Sequence, residues 1–522
     1  ARTETWHSNL QRCYDLVMPN RATFNTKDEV PGTRKTDQIF DSTTVSGLKQ
    51  FATDKQNLLF EGEWAKVKPG TDVEDGKAGI SSEQASKETE TYTSTVYTAL
   101  DESNFQSAIH ESLMESGIST GAIHISKGYD NHPVHFTSVP ISQLSLEAGP
   151  DGTIQNVYRS HRLDAQVIPQ TWANCKITRY IKEKIAEDPT CKVDLVEGTV
   201  YIPDEKDINK KWNYFVIDLE SREYIYNVSM SQTRWVIFRT SVLPGELFGR
   251  GPVYDLLPEI NVINELVNSF MDGVAYKTGP IWQVATGSEL NPYTATVEPR
   301  SVIPIQPTGQ NPNISPLQVK IDTSDILQLR QIMSEAIIKS LNLNPITNSK
   351  SPEEMTVGVA NKLDVQYLKQ DRALYNRLCY ELNQKIFPIV WSLLGEASLV
   401  PNVPLDGKKI AVEYNTPVQK LLNQDQVDRI EQASQSLMQI GGPQMGMMLV
   451  MAAMDVTKLP HFITDMYDVN AKVLQSDAGK ATLNSTLSQF QSQALQNLQQ
   501  QQQGAQPQQP AQQPSPIGQL GA

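Results

Sequence analysis

At 522 residues the chain exceeds what one compact core carries, and two to four domains are expected. With 39% hydrophobic and 20% charged residues it has the make-up of a globular protein rather than of a disordered chain. A net charge of −14 argues against a surface that grips nucleic acid everywhere, yet it is compatible with one past which nucleic acid slides.

The longest apolar runs, Ile386–Gly395 and Met445–Met454, are about ten residues each, so no membrane span is expected. Residues 1–20 lack a basic start followed by an apolar core, so no signal peptide is expected among them. Cys13, Cys175, Cys191 and Cys379 have no CxxC spacing, which points to a reducing compartment and away from a disulfide framework or a zinc site.

Residues 1–60 read as amphipathic helices, with Leu10, Tyr14, Val17 and Met18 on one face and Val45, Leu48, Phe51, Ala52 and Lys55 on another. A polar loop over Lys27–Lys35 separates them. A further helix is predicted from Val96 to Glu115, with Leu100, Phe105, Ile109 and Leu113 on its face and Gly117 as its cap. The period then shortens. Strands are predicted around Ala122–Ile125, Gln143–Glu147, Thr153–Arg159, Lys192–Ile202, Trp212–Asp218, Tyr224–Val228 and Arg234–Phe238, with Gly149–Gly152 as a hairpin turn. Residues 122–240 thus form a β-rich block between helical ones.

After Gly251-Pro252 the helical period returns. Leu256, Ile260, Ile263, Val267, Phe270 and Val274 make one stripe that ends at Gly279-Pro280. Short strands at Ile281–Ala285 and Ser301–Ile305 follow, then a second helix over Asp322–Leu341 with Ile326, Leu329, Met333 and Ile337 on its face. Two long helices joined by a forty-residue insert suggest an antiparallel pair with a small module at its tip. Their stripes suit either packing against copies of the same chain in a ring or a hairpin buried within one monomer.

A polar loop, Asn342–Ser351, leads into a long helix towards Trp391, with Gly358 and Pro388 as bends. Thr416-Pro417-Val418-Gln419 is a capping box opening a helix that ends at Gly441-Gly442. Leu483, Leu487, Phe490, Ala494 and Leu498 approach a coiled-coil seam. The Gln/Pro-rich tail after Gly504 carries no charge and is expected to be disordered in isolation.

Signals of chemistry are sparse. No GxxxxGK[ST] occurs, so P-loop hydrolysis of ATP is not expected. The glycines of Gly245–Gly251 lack GxGxxG spacing and suit a tight turn before a helix better than a phosphate cradle. His124, His132 and His135 could be metal ligands, but without a carboxylate at matching spacing they read as surface histidines. Cys379, beside Leu378 and Leu382, reads as a buried structural thiol. No catalytic residue, metal or cofactor is expected, and the chain does not read as an enzyme.

The run Glu246-Leu247-Phe248-Gly249-Arg250-Gly251-Pro252 followed by Tyr254–Asn268 resembles the turn into the first stem helix of portal proteins, the head-to-tail connectors of short-tailed, podovirus-type phages. The unit Phe105–Ile125, the hairpin Leu144–Arg159 and the segment Gln424–Glu431 support the likeness, whose order runs from Leu10 to about Leu498. The resemblance implies an α+β subunit of a ring, typically of twelve, at one capsid vertex. By carry-over, 1–248 is the wing, 249–279 and 322–341 are stem helices, 280–321 is the clip and 342–351 the tunnel loop. Residues 352–415 return to the wing as a long helix and strand, 416–503 form crown and barrel, and 504–522 form the tail. Its implied function is a channel for genome packaging and ejection that joins head to tail. The implied partners are other copies of the chain, double-stranded DNA, the major capsid protein, a tail adaptor at the clip and, transiently, a terminase motor, with no membrane. The implied place is the virion, after assembly in the bacterial cytoplasm.

Charge suits such a channel. Val253–Thr278 carries Asp255, Glu259, Glu265 and Asp272 against Lys277, and 322–341 carries Asp322, Asp325 and Glu335 against Arg330 and Lys339. An acidic lining with few cations favours weak sliding, because each neutralised phosphate adds affinity. Lys350, Arg330 and Lys339 are the candidate points of contact with DNA, and each could equally make an intersubunit ion pair. Leu256, Ile260, Ile263, Val267, Ile326, Leu329, Met333 and Ile337 are the candidate packing residues. Two other readings stay open: a nucleic-acid-processing enzyme with a helical insertion, and a scaffold or adaptor without a channel.

Overall fold

The computed structural model describes residues 4–19, 21, 24, 36–71, 82–128, 132–150, 152–172, 174–188, 190–285, 298–305, 314–316, 323–341, 372–401, 403, 405–416 and 429–440. The chain divides into two units, residues 1–421 and 422–522. The second contributes a helix over 429–440 with mostly exposed side chains. The expected tunnel loop, the rest of the crown, the barrel and the Gln/Pro tail lie outside the described residues. Among those described, no helix is long and apolar enough to cross a membrane.

The first unit is α+β. Helix α1 (Glu4–Val17) buries Leu10, Cys13, Tyr14 and Val17, and α2 (Thr43–Phe60) buries Leu48, Phe51, Ala52 and Leu59. Strand β1 (Ala65–Pro69) follows. The single helix expected over Val96–Glu115 is two, α3 (Ser82–Asp101) and α4 (Phe105–Ile118), broken at Ser103-Asn104. There the Asn104 side chain receives the Phe136 N–H and donates to the Phe136 carbonyl, so its amide bonds a distant strand rather than capping α4. Gly117 is not the expected cap but lies inside α4, where an added Cβ would meet Leu48 Cδ1 at 2.4 Å.

Next come β2 (Thr120–Lys127), β3 (Val134–Ser138), β4 (Leu144–Ala148) and β5 (Ile154–Asp164). The β4–β5 hairpin closes at Gly149 as its turn signal predicts, with Gly149 N–H bonded to the Thr153 carbonyl and Gly152 at φ +71°. A short helix, α5 (Arg179–Glu187), is capped by the Thr178 hydroxyl. Then β6 (Lys192–Tyr201), β7 (Trp212–Asp218), β8 (Tyr224–Met230) and β9 (Trp235–Arg239) complete two sheets, ordered β3-β2-β9 and β4-β5-β6-β7-β8.

Helix α6 (Leu257–Thr278) leaves this block through a turn at Gly245–Gly251, as the glycines predict. Strands β10 (Trp282–Ala285), β11 (Val302–Ile305) and β12 (Ile314–Pro316) form a small sheet in which β10 pairs parallel with β11 and antiparallel with β12. Helix α7 (Thr323–Ser340) packs on α6. Helix α8 (Arg372–Leu378), a π-helical turn at Cys379–Asn383 and α9 (Gln384–Glu396) carry the chain back. Strand β13 (Ile410–Tyr414) then pairs antiparallel with β1. Pro388 sits inside α9, but the irregularity among the described residues is the π turn ahead of it, which presents Glu381 to Arg239 at 2.7 Å. Cys379 is half-buried rather than buried.

The launch of α6 is fixed by backbone. Gly251 N–H bonds the Ile118 carbonyl at 3.0 Å, and Gly249 N–H bonds Thr120 Oγ1 at 2.8 Å. A Cβ on Gly251 would lie 2.1 Å from the Gly117 carbonyl oxygen, which is why only glycine serves there. Gly251→Ala is therefore expected to cost about 3 kcal/mol through overpacking against a backbone that cannot yield. By contrast Gly62→Ala, at φ +66° in open space, should cost about 1 kcal/mol. Thermal melts compare the two; equal losses would contradict the close approach.

Candidate functional site

The paired helices α6 and α7 carry the candidate packing residues, and their faces divide in two. Near the β-rich block Leu256, Ile260, Ile263 and Ile337 are buried, joining one core with Leu341, Phe248 and residues of α1 and α2. Val267, Ile326 and Met333 are half-buried, and Leu329 is 46% exposed. The stripe predicted as one seam thus anchors the pair at one end and opens along its length. Leu329, a candidate of the sequence reading, belongs to a second face whose other members that reading did not name. Leu329, Ile332 and Ala336, spaced three and four apart, lie exposed on one flank of α7, Ile332 at 58%. Leu327 is 50% exposed on the opposite flank. On α6, Glu265, Ser269 and Asp272 follow helical spacing along an exposed acidic face.

The segment before α2 holds both helices. Asn264 Oδ1 accepts the N–H groups of Phe40 at 2.7 Å and Asp41 at 3.3 Å, while its Nδ2 donates to the Gln38 carbonyl at 2.8 Å. Asp41, with its side chain 1% exposed, takes the Arg330 guanidinium at 2.7 Å and accepts the N–H of Thr43, the first residue of α2, at 2.9 Å. Burial disfavours the Asp41 carboxylate, but the hydrogen bonds from Thr43 and Arg330 outweigh it and hold its pKa below the ordinary 3.8.

Of the cations proposed to meet DNA, Arg330 is therefore engaged with Asp41 inside its own subunit. Lys339 stands exposed in the last turn of α7, and Lys350 lies outside the described residues. The histidines depart from the sequence reading. His132 is exposed and His135 half-buried, but His124 is not a surface histidine: its side chain is 12% exposed and stacks on Tyr214 with ring centroids 5.9 Å apart. Its alternation with buried Ile123 and Ile125 gave no sign of this, because a second sheet covers that face.

Removing Arg330 would leave Asp41 buried without its cation, so Arg330→Ala is expected to cost about 2 kcal/mol, reduced from a fully buried pair because Arg330 is 43% exposed. A lowered folded-state pKa means that this contribution is present above pH 3.8 and is lost as pH falls through the lower value. Melting curves of wild type and Arg330→Ala should differ from pH 8 to pH 5 and converge in more acid solution.

Comparison with known proteins gives this arrangement a setting. The profile of the family described as bacteriophage head to tail connecting protein matches residues 1–474. A "Probable portal protein" of Bordetella phage BPP-1 is 19% identical over 446 residues, covering 82% of this chain and 79% of its own length. Among solved structures, a chain of "Virion of native gene transfer agent (GTA) particle" aligns with a TM-score of 0.36 and 9% identity, over 78% of this chain and 92% of that one. A chain of "Neck of empty GTA particle computed with C6 symmetry" aligns with a TM-score of 0.37 and 11% identity, over 81% and 94%.

Proposed function

The chain belongs to the bacteriophage head to tail connecting protein family, and from that premise we propose that it is a portal subunit whose copies close into a ring around a DNA channel. The observation that carries the reading is the pair α6 and α7, on which Val262, Met271, Leu327, Leu329 and Ile332 are all 45% or more exposed in a single copy. Exposed apolar side chains on both flanks of a helix pair suit contacts with a chain on either side. A second copy packed on the flank of Leu329, Ile332 and Ala336 covers them, and repetition of that heterologous contact closes a ring.

The acidic face of α6, with Glu265 and Asp272, then turns to the lumen, where like charge keeps the DNA phosphates mobile. Lys339 and Lys350 are retained as sparse points of attraction. In this reading the small sheet β10–β12 meets a tail adaptor, the β-rich block faces the major capsid protein, and a separate terminase supplies the work of packaging. The subunit is a non-enzymatic virion component assembled in the host cytoplasm, and twelve copies are the expected number.

Ile332→Asp tests the contact without touching the core, since Ile332 is 58% exposed in the single chain. Its folded subunit should keep the wild-type circular dichroism spectrum, because a lone surface charge costs a monomer little. Native mass spectrometry and negative-stain images should then show monomers or small species in place of rings. Intact rings carrying Ile332→Asp would remove this flank from the interface.

A further inference from the structure

Between the two sheets of the β-rich block lies a cavity of about 850 Å³, walled on a third side by Ile389, Ser392, Leu393 and Glu396 of α9. Its size is that of a pocket for a small organic molecule. Neither the packing of α6 and α7 nor any channel role uses it. Polar groups floor it. Arg159 and His161 of β5, Glu197 of β6 and Tyr214 of β7 share the inward face of the larger sheet, and His124 reaches in from β2.

Two of these groups are incompletely served. The His161 side chain is 6% exposed, and its Nδ1 is buried without a hydrogen-bond partner among the described residues. The Arg159 side chain is 17% exposed and donates one side-chain hydrogen bond, from Nε to Gln143 Oε1 at 3.0 Å. Its NH1 stands 3.8 Å from Glu197, beyond hydrogen-bond reach, so a guanidinium that can donate five N–H bonds keeps most of them unused. Glu197, the neighbouring acid, lies beside the Tyr214 hydroxyl, which accepts the Trp172 indole N–H at 2.9 Å. Burial pushes the Glu197 carboxyl up despite Arg159 and Tyr214, weakening its hold as a counter-ion.

At the mouth, Lys127 is exposed, and Arg234 is paired at 3.3 Å with Glu396, which is half exposed. The balance of unspent capacity is therefore a half-buried fork of N–H donors, an unpartnered imidazole nitrogen and an outer ammonium. We propose that the cavity binds a small organic anion, its phosphate or carboxylate seated on Arg159 and His161 and its body resting against Trp172, Tyr226 and Leu393. A metal ion is a poorer fit, since no group of His, Cys, Asp or Glu among the described residues has the geometry to hold one. The cavity lies within one subunit, so the proposal stands independently of the ring.

Isothermal titration of the full chain tests it with three probes: AMP for a phosphate on a planar body, citrate for carboxylates, and inorganic phosphate for the bare group. At least one organic probe should bind, and more tightly than inorganic phosphate. Glu197→Gln, nearly isosteric, removes the competing acid and should tighten that probe about fivefold. Arg159→Met in the Glu197→Gln background, where no buried carboxylate is left alone, should weaken it at least tenfold. Lys127→Ala, at an exposed position, should weaken it a few-fold. Binding of citrate but not AMP, or the reverse, supports the site and names the anion. The proposal is overturned if no probe binds at millimolar concentration, or if affinity is the same in the Glu197→Gln protein with and without Arg159→Met.

Discussion

One constraint governs the subunit: at the root of α6, backbone touches backbone. The turn Gly249–Gly251 lies against the end of α4 and the start of β2, so closely that two residues without side chains are needed to admit it. Ser119 adds its hydroxyl to the Gly249 carbonyl, and Thr240 bonds the Ser116 carbonyl from the end of β9. Such contacts have no rotamers to relax. The direction in which α6 leaves the β-rich block is therefore set by close backbone-to-backbone packing and hydrogen bonds, where side-chain packing would leave play. The segment before α2 then holds α6 through Asn264 and α7 through Arg330, so both helices are fixed at their root and on one side.

Between those fixings the two helices are only half covered. Fully burying an apolar side chain of this size is worth about 1.5–3 kcal/mol, and Val262 and Met271 on α6 and Leu327, Leu329 and Ile332 on α7 are each about half exposed. About half of that value is still to be gained at each, a few kcal/mol in all, which is the size of a favourable contact with another chain. On α6 itself the exposed positions Glu265, Ser269 and Asp272 give the helix an acidic face, with exposed Val262 on the same side.

Much of this was legible in the sequence because it is local. The stripe from Leu256 to Val267 and the hairpin turn at Gly149–Gly152 each follow from residue spacing within one element, and the structure has both. The signature glycines predicted a turn, but its cause, a second backbone some 130 positions away, carries no local signal. Arg330 read as a contact with DNA or an intersubunit ion pair, and its partner within the chain was hidden for a similar reason. Its partner Asp41 lies 289 residues earlier, and nothing in either neighbourhood announces the other. His124 alternates as a strand residue should, but alternation tells which face a residue shares and not what covers that face. The break at Ser103-Asn104 was hidden because α3 and α4 both continue the helical period, while Asn104 turns its amide to a distant strand.

The pairing of β1 with β13 reaches past all of these distances. Ala65–Pro69 and Ile410–Tyr414 are neighbours in the fold but stand at opposite ends of the first unit in sequence. The fully buried ammonium of Lys55 on α2, bonded to the Tyr375 hydroxyl at 3.0 Å, spans a similar gap. A ribosome adding roughly 5–20 residues per second needs about 20–70 seconds to make the stretch between the two strands. For that interval β1 has no partner strand, and Trp64 and Leu59 at its approach lack part of their cover. The nascent chain therefore carries this open apolar surface until the last part of the first unit has been made.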